Sequence, residues 1–385
     1  MSTNTPYGSP SPPDPISVRV NVAGIIFTGA RNDYNPLYDR EDEVNIEPPQ
    51  WQQDPFKREP VSYVRKKKAT IKLDITGSYG TPIWVRVTPT AELLKKITTA
   101  EGVEKLVPDP GETSIAFDRT SETIHVTNWD DPDYERLIFK TNALPDEVRL
   151  NQLKITWKFE YGYTKMGPWF RAGQETTYHE IYITYAPSYR GFLPHKRPWK
   201  QVLKTACSYA HGEDSKIEVS KRVTTGIYDS LEFKYDPEES HSDFLNYEIR
   251  LWSMLKEGWV DCMDGSNYYT ILMRWLGIPA HQIKISPNNS DKFVYKELLP
   301  IAKISFTNRP DTDWESKRWN FHQVGILGDA QQGTLGNHIY DPIIMIDKTG
   351  TPRVPTNMIR DNYKRAIFRS GQFVWDANAL VTKVS

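Results

Sequence analysis

The chain of 385 residues carries 48 Lys and Arg against 49 Asp and Glu, which gives a net charge of −1. This balance provides no general attraction to nucleic acid, and no apolar run approaches the roughly 18 residues that a membrane span needs. We therefore expect neither a nucleic-acid partner nor a membrane span. The length exceeds what one hydrophobic core usually serves, so it predicts two domains.

Residues 1–15 are rich in Ser, Thr, Pro and Gly, and we expect them to form a flexible tail. They lack the basic and apolar regions of a secretory signal. Only two cysteines occur, Cys207 and Cys262, which is too few for a disulfide framework and typical of a reducing compartment. These features together predict a cytoplasmic protein.

Residues 16–187 are typical of a β domain, because short β-branched and aromatic runs alternate with Pro, Gly, Asn and Asp. From Leu153 to Tyr161 every second residue is apolar, as in a strand with one buried face. Seven runs are predicted to be strands: 17–28, 69–76, 83–88, 122–126, 137–140, 153–161 and 178–185. This number predicts an antiparallel β-sandwich, an accessory domain that we expect to position substrate or to bind a protein partner.

Three further segments of this half carry weaker expectations. Residues 91–97 are predicted to form a short helix. Residues 34–60 have no clear periodicity and are predicted to be a loop or an arm rather than core. The basic run at residues 65–68 could contact a phosphate or an acidic partner, but a solvated strand entry is the simpler interpretation.

Helical patterns begin after the proline-rich residues 187–199, and we place a domain boundary near residue 188. The second domain is therefore predicted to span residues 188–385 and to make the whole chain α+β. Its first helices are predicted at 199–210, 217–228 and 243–255. Cys207 lies on the inner side of the first of these and is predicted to be a core residue.

Cys262 stands just ahead of a predicted helix at residues 267–276. Unpaired N–H groups and the helix dipole stabilise a thiolate at a helix start, and the same N–H groups can form part of an oxyanion hole. The sequence therefore favours Cys262 as a nucleophile. A buried inert thiol is the alternative interpretation.

His322 and Asp341 fall in two later predicted strands, residues 319–327 and 337–347. A cysteine at a helix start, with a histidine and an aspartate on adjacent strands, supplies a nucleophile, a general base and an orienting carboxylate. A metal site built from these groups is disfavoured, because the spacing lacks paired ligands.

The stretch Cys-Met-Asp-Gly-Ser-Asn-Tyr-Tyr-Thr-Ile-Leu-Met-Arg-Trp-Leu-Gly-Ile-Pro-Ala, from Cys262 to Ala280, resembles the core motif of the transglutaminase-like superfamily. In that family a nucleophilic cysteine opens a helix that ends in a Leu-Gly-Ile-Pro-Ala type of turn. A histidine in a strand and an aspartate in a Tyr-Asp-Pro turn follow. Here Phe321-His322-Gln323 and Tyr340-Asp341-Pro342 stand in those places in the same order, and the similarity covers roughly residues 197–348.

This resemblance implies a papain-like transglutaminase-type α+β domain with Cys262, His322 and Asp341 as its catalytic triad. It also implies attack of the cysteine on an amide or acyl carbonyl of a protein or peptide, through a thioester and without a cofactor or metal. Related enzymes take a second oxyanion donor from the region before the cysteine. Tyr235 and Trp259 are the candidates for that donor.

Two positions depart from the family pattern without removing a catalytic group. His281 stands where the family often has Arg, and Gln323 follows the histidine where the family has Ala. Residues 287–315 form a long polar insertion that we expect to cap the cleft.

The sequence leaves the acyl acceptor open. Water would make the protein a peptidase or amidase, and a lysine or polyamine would make it a transglutaminase. We favour hydrolysis, because no feature of the sequence indicates a cleft that keeps water from the thioester. A non-catalytic binding or scaffold protein that retains the fold is the alternative from another class.

Overall fold

The structure is a computed structural model, and it describes the larger part of the chain. The described residues are 18–30, 33–78, 82–109, 114–129, 137–188, 197–230, 233–236, 240–243, 248–287, 293–294, 298–300, 318–319, 321–329, 333–346, 353–367, 373–376 and 383–384. The predicted tail at residues 1–15 and most of the predicted insertion at 287–315 lie outside these ranges.

The N-terminal part is built of strands. Those described are β1 (Val20–Thr28), β2 (Tyr38–Asp39), β3 (Val44–Asn45), β4 (Trp51–Gln52), β5 (Lys57–Arg58), β6 (Val61–Val64), β7 (Lys68–Gly77), β8 (Ile83–Thr98), β9 (Glu104–Pro108), β10 (Ser114–Ile115), β11 (Glu122–Val126), β12 (Leu137–Ala143), β13 (Arg149–Gly162) and β14 (Phe170–Thr184). All seven predicted strands have a counterpart in this set.

Most of these strands join one of two sheets. The first sheet has the order β12-β7-β1-β4-β5, and the second has the order β10-β8-β13-β14-β6 with β9 and β11 also paired to β8. The described pairs are antiparallel except for β6 and β14, which run parallel.

Strand β13 shows how alternation builds the core of the N-terminal part. Leu153, Ile155, Trp157 and Phe159 are buried, and the residues between them are more exposed. The two sheets contribute to one hydrophobic cluster, in which the rings of Phe139 from β12 and Trp157 from β13 lie 5.6 Å apart. Both sheets therefore present an apolar face to the same interior.

The predicted helix at residues 91–97 is wrong. Strand β8 continues through this segment to Thr98, pairing with β13 as far as Leu94 and with β9 beyond it. The residues Ala-Glu-Leu-Leu-Lys-Lys have high helix propensity, but pairing with neighbouring strands outweighs it. Local propensity does not encode this pairing.

Most of the segment at residues 34–60, called the arm below, is exposed or half-buried, as expected of an arm, but some of its apolar side chains enter the core, which was not predicted. Leu37 and Ile46 are buried in the hydrophobic cluster of the C-terminal part, whereas Trp51 is buried in that of the N-terminal part. The backbone N–H of Tyr38 donates to the carbonyl of Pro198 at 3.0 Å. The arm therefore packs against both halves of the chain.

Each residue of the basic run at 65–68 has an acidic partner within the chain. Lys66 and Arg65 pair with Asp146, and the remaining two lysines pair with Asp33 and Asp118. The run leads into β7 and the side chains of Lys66 and Lys68 are more than half exposed, which agrees with a solvated strand entry.

The C-terminal part mixes helices and strands. Its described elements are α1 (Lys200–Tyr209), α2 (Lys216–Asp229), β15 (Lys234–Tyr235), β16 (Ser242–Asp243), β17 (Glu248–Ile249), α3 (Leu251–Glu257), β18 (Trp259–Val260), α4 (Cys262–Trp275), β19 (Ala280–Pro287), β20 (Phe293–Val294), β21 (Leu298–Pro300), β22 (Arg318–Trp319), β23 (His322–Leu327), β24 (His338–Tyr340), β25 (Ile344–Ile346), β26 (Met358–Ile359), α5 (Arg360–Ile367), β27 (Phe373–Asp376) and β28 (Lys383–Val384). The chain as described is therefore α+β.

The central sheet of this part has the order β26-β24-β23-β19-β27, and helix α4 packs against β19 and β23. Helix α4 ends where Gly277 adopts a φ of 80°, and a Cβ there would overlap the backbone of Ala186. Helix α3 is shorter than the predicted 243–255, because β16 and β17 pair with each other ahead of it. Among the described residues, no helix combines the length and the apolar character needed to cross a membrane.

Candidate functional site

Helix α4 begins at Cys262 because the residue before it is a strong N-cap. The Asp261 carboxylate accepts a hydrogen bond from the backbone N–H of Asp264 at 2.7 Å, and the Asp264 carboxylate accepts one from the backbone N–H of Asp261 at 3.3 Å. This reciprocal capping box satisfies two of the otherwise unpaired donors at the helix start. The cap fixes the thiol at the first position of the helix.

The Cys262 thiol is buried, with 3% of the residue exposed. It accepts a hydrogen bond from the backbone N–H of Gln323. Burial, and then the neighbouring charge of Asp261, raise the pKa of the thiol well above its ordinary value. The direction of this shift is opposite to the one expected for a thiol at a helix start.

Cys207 lies in the hydrophobic core, as predicted. Its thiol faces the carbonyl of Ile183 at 3.9 Å, and burial raises its pKa. It provides a second buried thiol that lies away from the histidine and aspartate described next.

His322 and Asp341 form a buried pair. The ring nitrogen Nε2 of His322 lies 2.8 Å from Oδ2 of Asp341, and the two residues are 1% and 0% exposed. A neutral imidazole that donates from Nε2 keeps Nδ1 as its acceptor nitrogen. This contact therefore selects the tautomer of His322.

The Asp341 carboxylate has two further donors. The backbone N–H of Ile343 donates to Oδ1 at 3.0 Å, and the hydroxyl of Tyr363 donates to Oδ2 at 2.6 Å. Hydrogen bonds to a buried carboxylate stabilise its charged form. Asp341 is therefore held from three sides: by strand β23, by its own turn and by helix α5.

The three residues singled out in the sequence lie in one region. Strand β23 begins at His322, so the residue whose N–H contacts the Cys262 thiol directly follows the histidine. The charge of Asp341 also acts on the thiol and raises its pKa. The structure thus brings the histidine and aspartate into contact and sets the cysteine against the same strand.

A buried polar network links the start of α4 to β23. The Gln323 side chain donates to Asn267 at 3.2 Å, Asn267 donates to Ser242 at 2.9 Å, and Ser242 donates to Asp264 at 2.7 Å. The backbone N–H of His241 also donates to the Asp264 carboxylate at 3.1 Å. Gln323, which departs from the family pattern, therefore joins this network through its side chain.

The candidates for a second oxyanion donor lie on two short paired strands just before Cys262. Strands β15 and β18 run parallel, with Tyr235 opposite Val260 and Lys234 opposite Trp259. Tyr235 is fully buried, and the Lys234 amine lies 5.6 Å from the Trp259 ring. Tyr235 and Trp259 thus lie on short paired strands, one of which ends just before Cys262. The role of either side chain as an oxyanion donor stays a prediction.

Tyr363 was not predicted as a site residue. It lies beyond residues 197–348, and no motif in the polar sequence around it indicates a contact with Asp341. A helical pattern with Tyr363 and Ile367 on one face is the only signal that could have suggested an inward-facing tyrosine. Within the described ranges, no group of three or more His, Cys, Asp or Glu side chains could hold a metal ion.

The solved structures named here are distantly similar to the chain. No family model matches the chain, and no curated protein matches it. The crystal structure of red sea bream transglutaminase is similar over 78% of this chain and 52% of its own, with 12% identity and a TM-score of 0.37. A PapD-like domain of human CEP192 is similar over 47% of this chain and 94% of its own, with 9% identity and a TM-score of 0.20.

The chain thus spans about half the length of the transglutaminase structure that it resembles. These similarities do not assign it to a family.

Proposed function

We propose that this protein is a cysteine-nucleophile enzyme that acts on amide bonds of a protein or peptide through a thioester. Cys262 is the nucleophile, His322 the general base and acid, and Asp341 the orienting carboxylate. The observation that carries the proposal is the buried His322–Asp341 contact of 2.8 Å on the strand whose next N–H meets the Cys262 thiol.

The reaction follows from the tautomer that Asp341 selects. With Nε2 held by the carboxylate, Nδ1 of His322 takes the thiol proton as sulfur attacks the carbonyl carbon. The backbone N–H of Cys262 stabilises the oxyanion together with a second donor, for which Tyr235 and Trp259 are the candidates. The imidazolium then protonates the departing amine or ammonia, which leaves a thioester on Cys262.

Water is our proposed acceptor for the thioester, which makes the protein a peptidase or amidase. We further propose that residues 16–187 form a β-sandwich domain and residues 188–385 the catalytic domain. In this arrangement the sandwich recognises a protein partner or presents the substrate. We expect the protein to act in the cytoplasm.

One observation favours a second candidate function, a non-catalytic protein that binds a partner. The Cys262 thiol is buried, and burial raises its pKa well above the ordinary value, so the resting protein holds a neutral and enclosed sulfur. An enzyme would have to expose and deprotonate this thiol when substrate enters. A binding protein would not.

A labelling experiment separates the two candidates. The protein is treated in native lysate with an activity-based probe for cysteine nucleophiles, alongside the Cys262→Ala and Cys207→Ala variants. The enzyme proposal expects labelling of the wild type and of Cys207→Ala, and none of Cys262→Ala. Absence of labelling in the folded wild type favours the binding protein.

The acceptor is tested on the unlabelled wild-type protein, with Cys262→Ala as the blank. Ammonia release and dansyl-cadaverine incorporation are measured on the same glutamine-containing peptides. Each turnover releases one ammonia when the thioester forms, so release without incorporation supports hydrolysis, whereas incorporation that approaches the ammonia released identifies a transglutaminase.

A further inference from the structure

Two side chains of helix α5 are buried in the C-terminal part. Within Arg360–Ile367, Tyr363 and Ile367 are the buried residues, one turn apart on the same face. Ile367 joins the hydrophobic cluster, whereas the hydroxyl of Tyr363 reaches the Asp341 carboxylate. The hydroxyl of the fully buried Tyr363 ring therefore contacts the same carboxylate, that of Asp341, that contacts His322.

The two side-chain donors share one oxygen. Oδ2 of Asp341 lies 2.8 Å from His322 Nε2 and 2.6 Å from the Tyr363 hydroxyl, while Oδ1 faces the backbone N–H of Ile343. Two donors on one oxygen divide its negative charge between them. In a buried site that charge is little screened by water, so the division affects how strongly the carboxylate attracts the imidazolium.

We propose that Tyr363 is a positioning residue that sets the charge and orientation of Asp341 and, through it, the proton affinity of His322. The inference deepens the proposed function, since it assigns a regulator to the same His322–Asp341 pair. The contact itself does not depend on Cys262 being a nucleophile.

Within the described part of the chain, the titratable groups that contact Asp341 or feel its charge come from four elements. They are His322 on β23, Tyr363 on α5, Cys262 on α4 and Tyr228 on α2. His322 is the member of this set that ordinarily titrates near neutral pH. Its ring is therefore the group on which loss of the tyrosine hydroxyl is measured.

The test is the pH titration of the His322 ring, followed by long-range ¹H–¹⁵N NMR and assigned with the His322→Gln variant. In Tyr363→Phe the carboxylate loses one donor and interacts more strongly with the imidazolium. We expect the titration midpoint to rise by on the order of half a pH unit or more. A midpoint that stays or falls, with only a loss of stability, overturns the proposal.

A matched control removes a buried hydroxyl elsewhere. Tyr63 is fully buried in the N-terminal part and donates to the carbonyl of Thr28 at 2.8 Å. Tyr63→Phe is expected to lower stability without moving the His322 midpoint. A shift of similar size in Tyr63→Phe would show that the midpoint reports general loosening, and it too overturns the proposal.

A second substitution keeps the test available if Tyr363→Phe does not fold. Fluorotyrosine introduced at position 363 retains the ring and strengthens the hydroxyl as a donor, so the His322 midpoint is expected to fall. An unchanged midpoint counts against the proposal. Because the readout is a histidine signal, it can succeed even where the labelling of Cys262 fails, so the two proposals fail separately.

Discussion

Asp261 and Asp264 hold each other at the first turn of α4, since each carboxylate accepts a hydrogen bond from the other's backbone N–H. Both carboxylates are also buried. Burial, and then the charge of Asp264, raise the pKa of Asp261 to about 7, and burial raises the pKa of Asp264 as well. The helix cap thus places a carboxyl group with a raised pKa directly beside the proposed nucleophile, Cys262.

The first prediction concerns stability and pH. A carboxyl group whose pKa is higher in the folded than in the unfolded state binds more protons when folded, so stability falls as pH rises between the two values. For Asp261 this window runs from about 4 to about 7. We expect the contribution of Asp261 to the free energy of unfolding to decrease across it by up to about 1.4 kcal/mol per pH unit. The buried His179, whose pKa is lowered to about 3, contributes a slope of opposite sign, so the effect is read as a difference from a variant.

Asp261→Asn tests this slope, because Asn caps a helix as well as Asp but does not titrate. Urea unfolding curves of both proteins between pH 4 and 7 should show that the stability of the wild type falls relative to that of the variant as pH rises. Parallel pH profiles of the two proteins would contradict a raised pKa at this position.

The second prediction concerns the Cys262 thiol. The charge of Asp261 is the second-largest cause, after burial, of the raised pKa of the thiol. Asp261→Asn should therefore lower that pKa, and a fall of half to one unit would speed alkylation by iodoacetamide at neutral pH by roughly 3- to 10-fold. The rate is followed by mass spectrometry of the two cysteine peptides.

Cys207 is the internal control, because it is buried elsewhere and Asp261 is not among the causes of its raised pKa. Equal acceleration at both cysteines would mean that the substitution loosens the fold rather than changing the charge beside Cys262.

The third prediction separates the side chain of Gln323 from its backbone. Gln323→Ala removes the donor to Asn267 but keeps the N–H that meets the thiol. We expect a loss of stability of about 1–3 kcal/mol, since a buried acceptor loses its partner. The pH profile of Cys262 alkylation should stay within experimental error.

Gln323→Leu is the companion variant, because it restores volume without the hydrogen bond. If the loss were due to packing alone, Leu would recover it. A changed alkylation profile in either variant would assign the effect on the thiol to the side chain.

The fourth prediction concerns the packing of α4 against the turn that follows Asp341. Gly265 lies one turn of helix beyond Cys262. A Cβ added at Gly265 would overlap the side chain of Ile343. Gly265→Ala should therefore cost about 1–3 kcal/mol through overpacking, although alanine is the better helix former. Thermal unfolding measures the effect.

Ile343→Val in the same chain should return part of that loss, giving a favourable coupling in a double-mutant cycle. Additive losses from the two substitutions would show that Gly265 and Ile343 do not press on each other.

Much of the architecture was predictable from local pattern. The period-2 alternation of residues 153–161 located β13, and the cluster of motifs around Cys262, His322 and Asp341 located residues that come together in space. Both signals lie in a few residues of contiguous sequence, which is why they can be recognised without the fold.

Other features depend on distant partners and were not predictable in this way. Strand β8 extends through a helix-like segment because of its pairing with β13 and β9, and several apolar residues of the arm are buried because two cores receive them. Tyr363 and Asp341 are 22 positions apart in the sequence, and their contact requires helix α5 to pack in a specific orientation. Such contacts depend on tertiary packing, which the local sequence pattern does not reveal.

The arm also bears on how the two halves can be separated. Asp39 is paired with Lys200, and the Arg40 guanidinium lies 5.4 Å from the Trp199 ring and 5.8 Å from the Trp252 ring. A chimera that grafts a foreign N-terminal part onto residue 188 would leave these aromatic rings uncovered. We therefore expect the two halves to unfold cooperatively, with one calorimetric transition in the intact chain. A graft that omits the arm is expected to give insoluble protein.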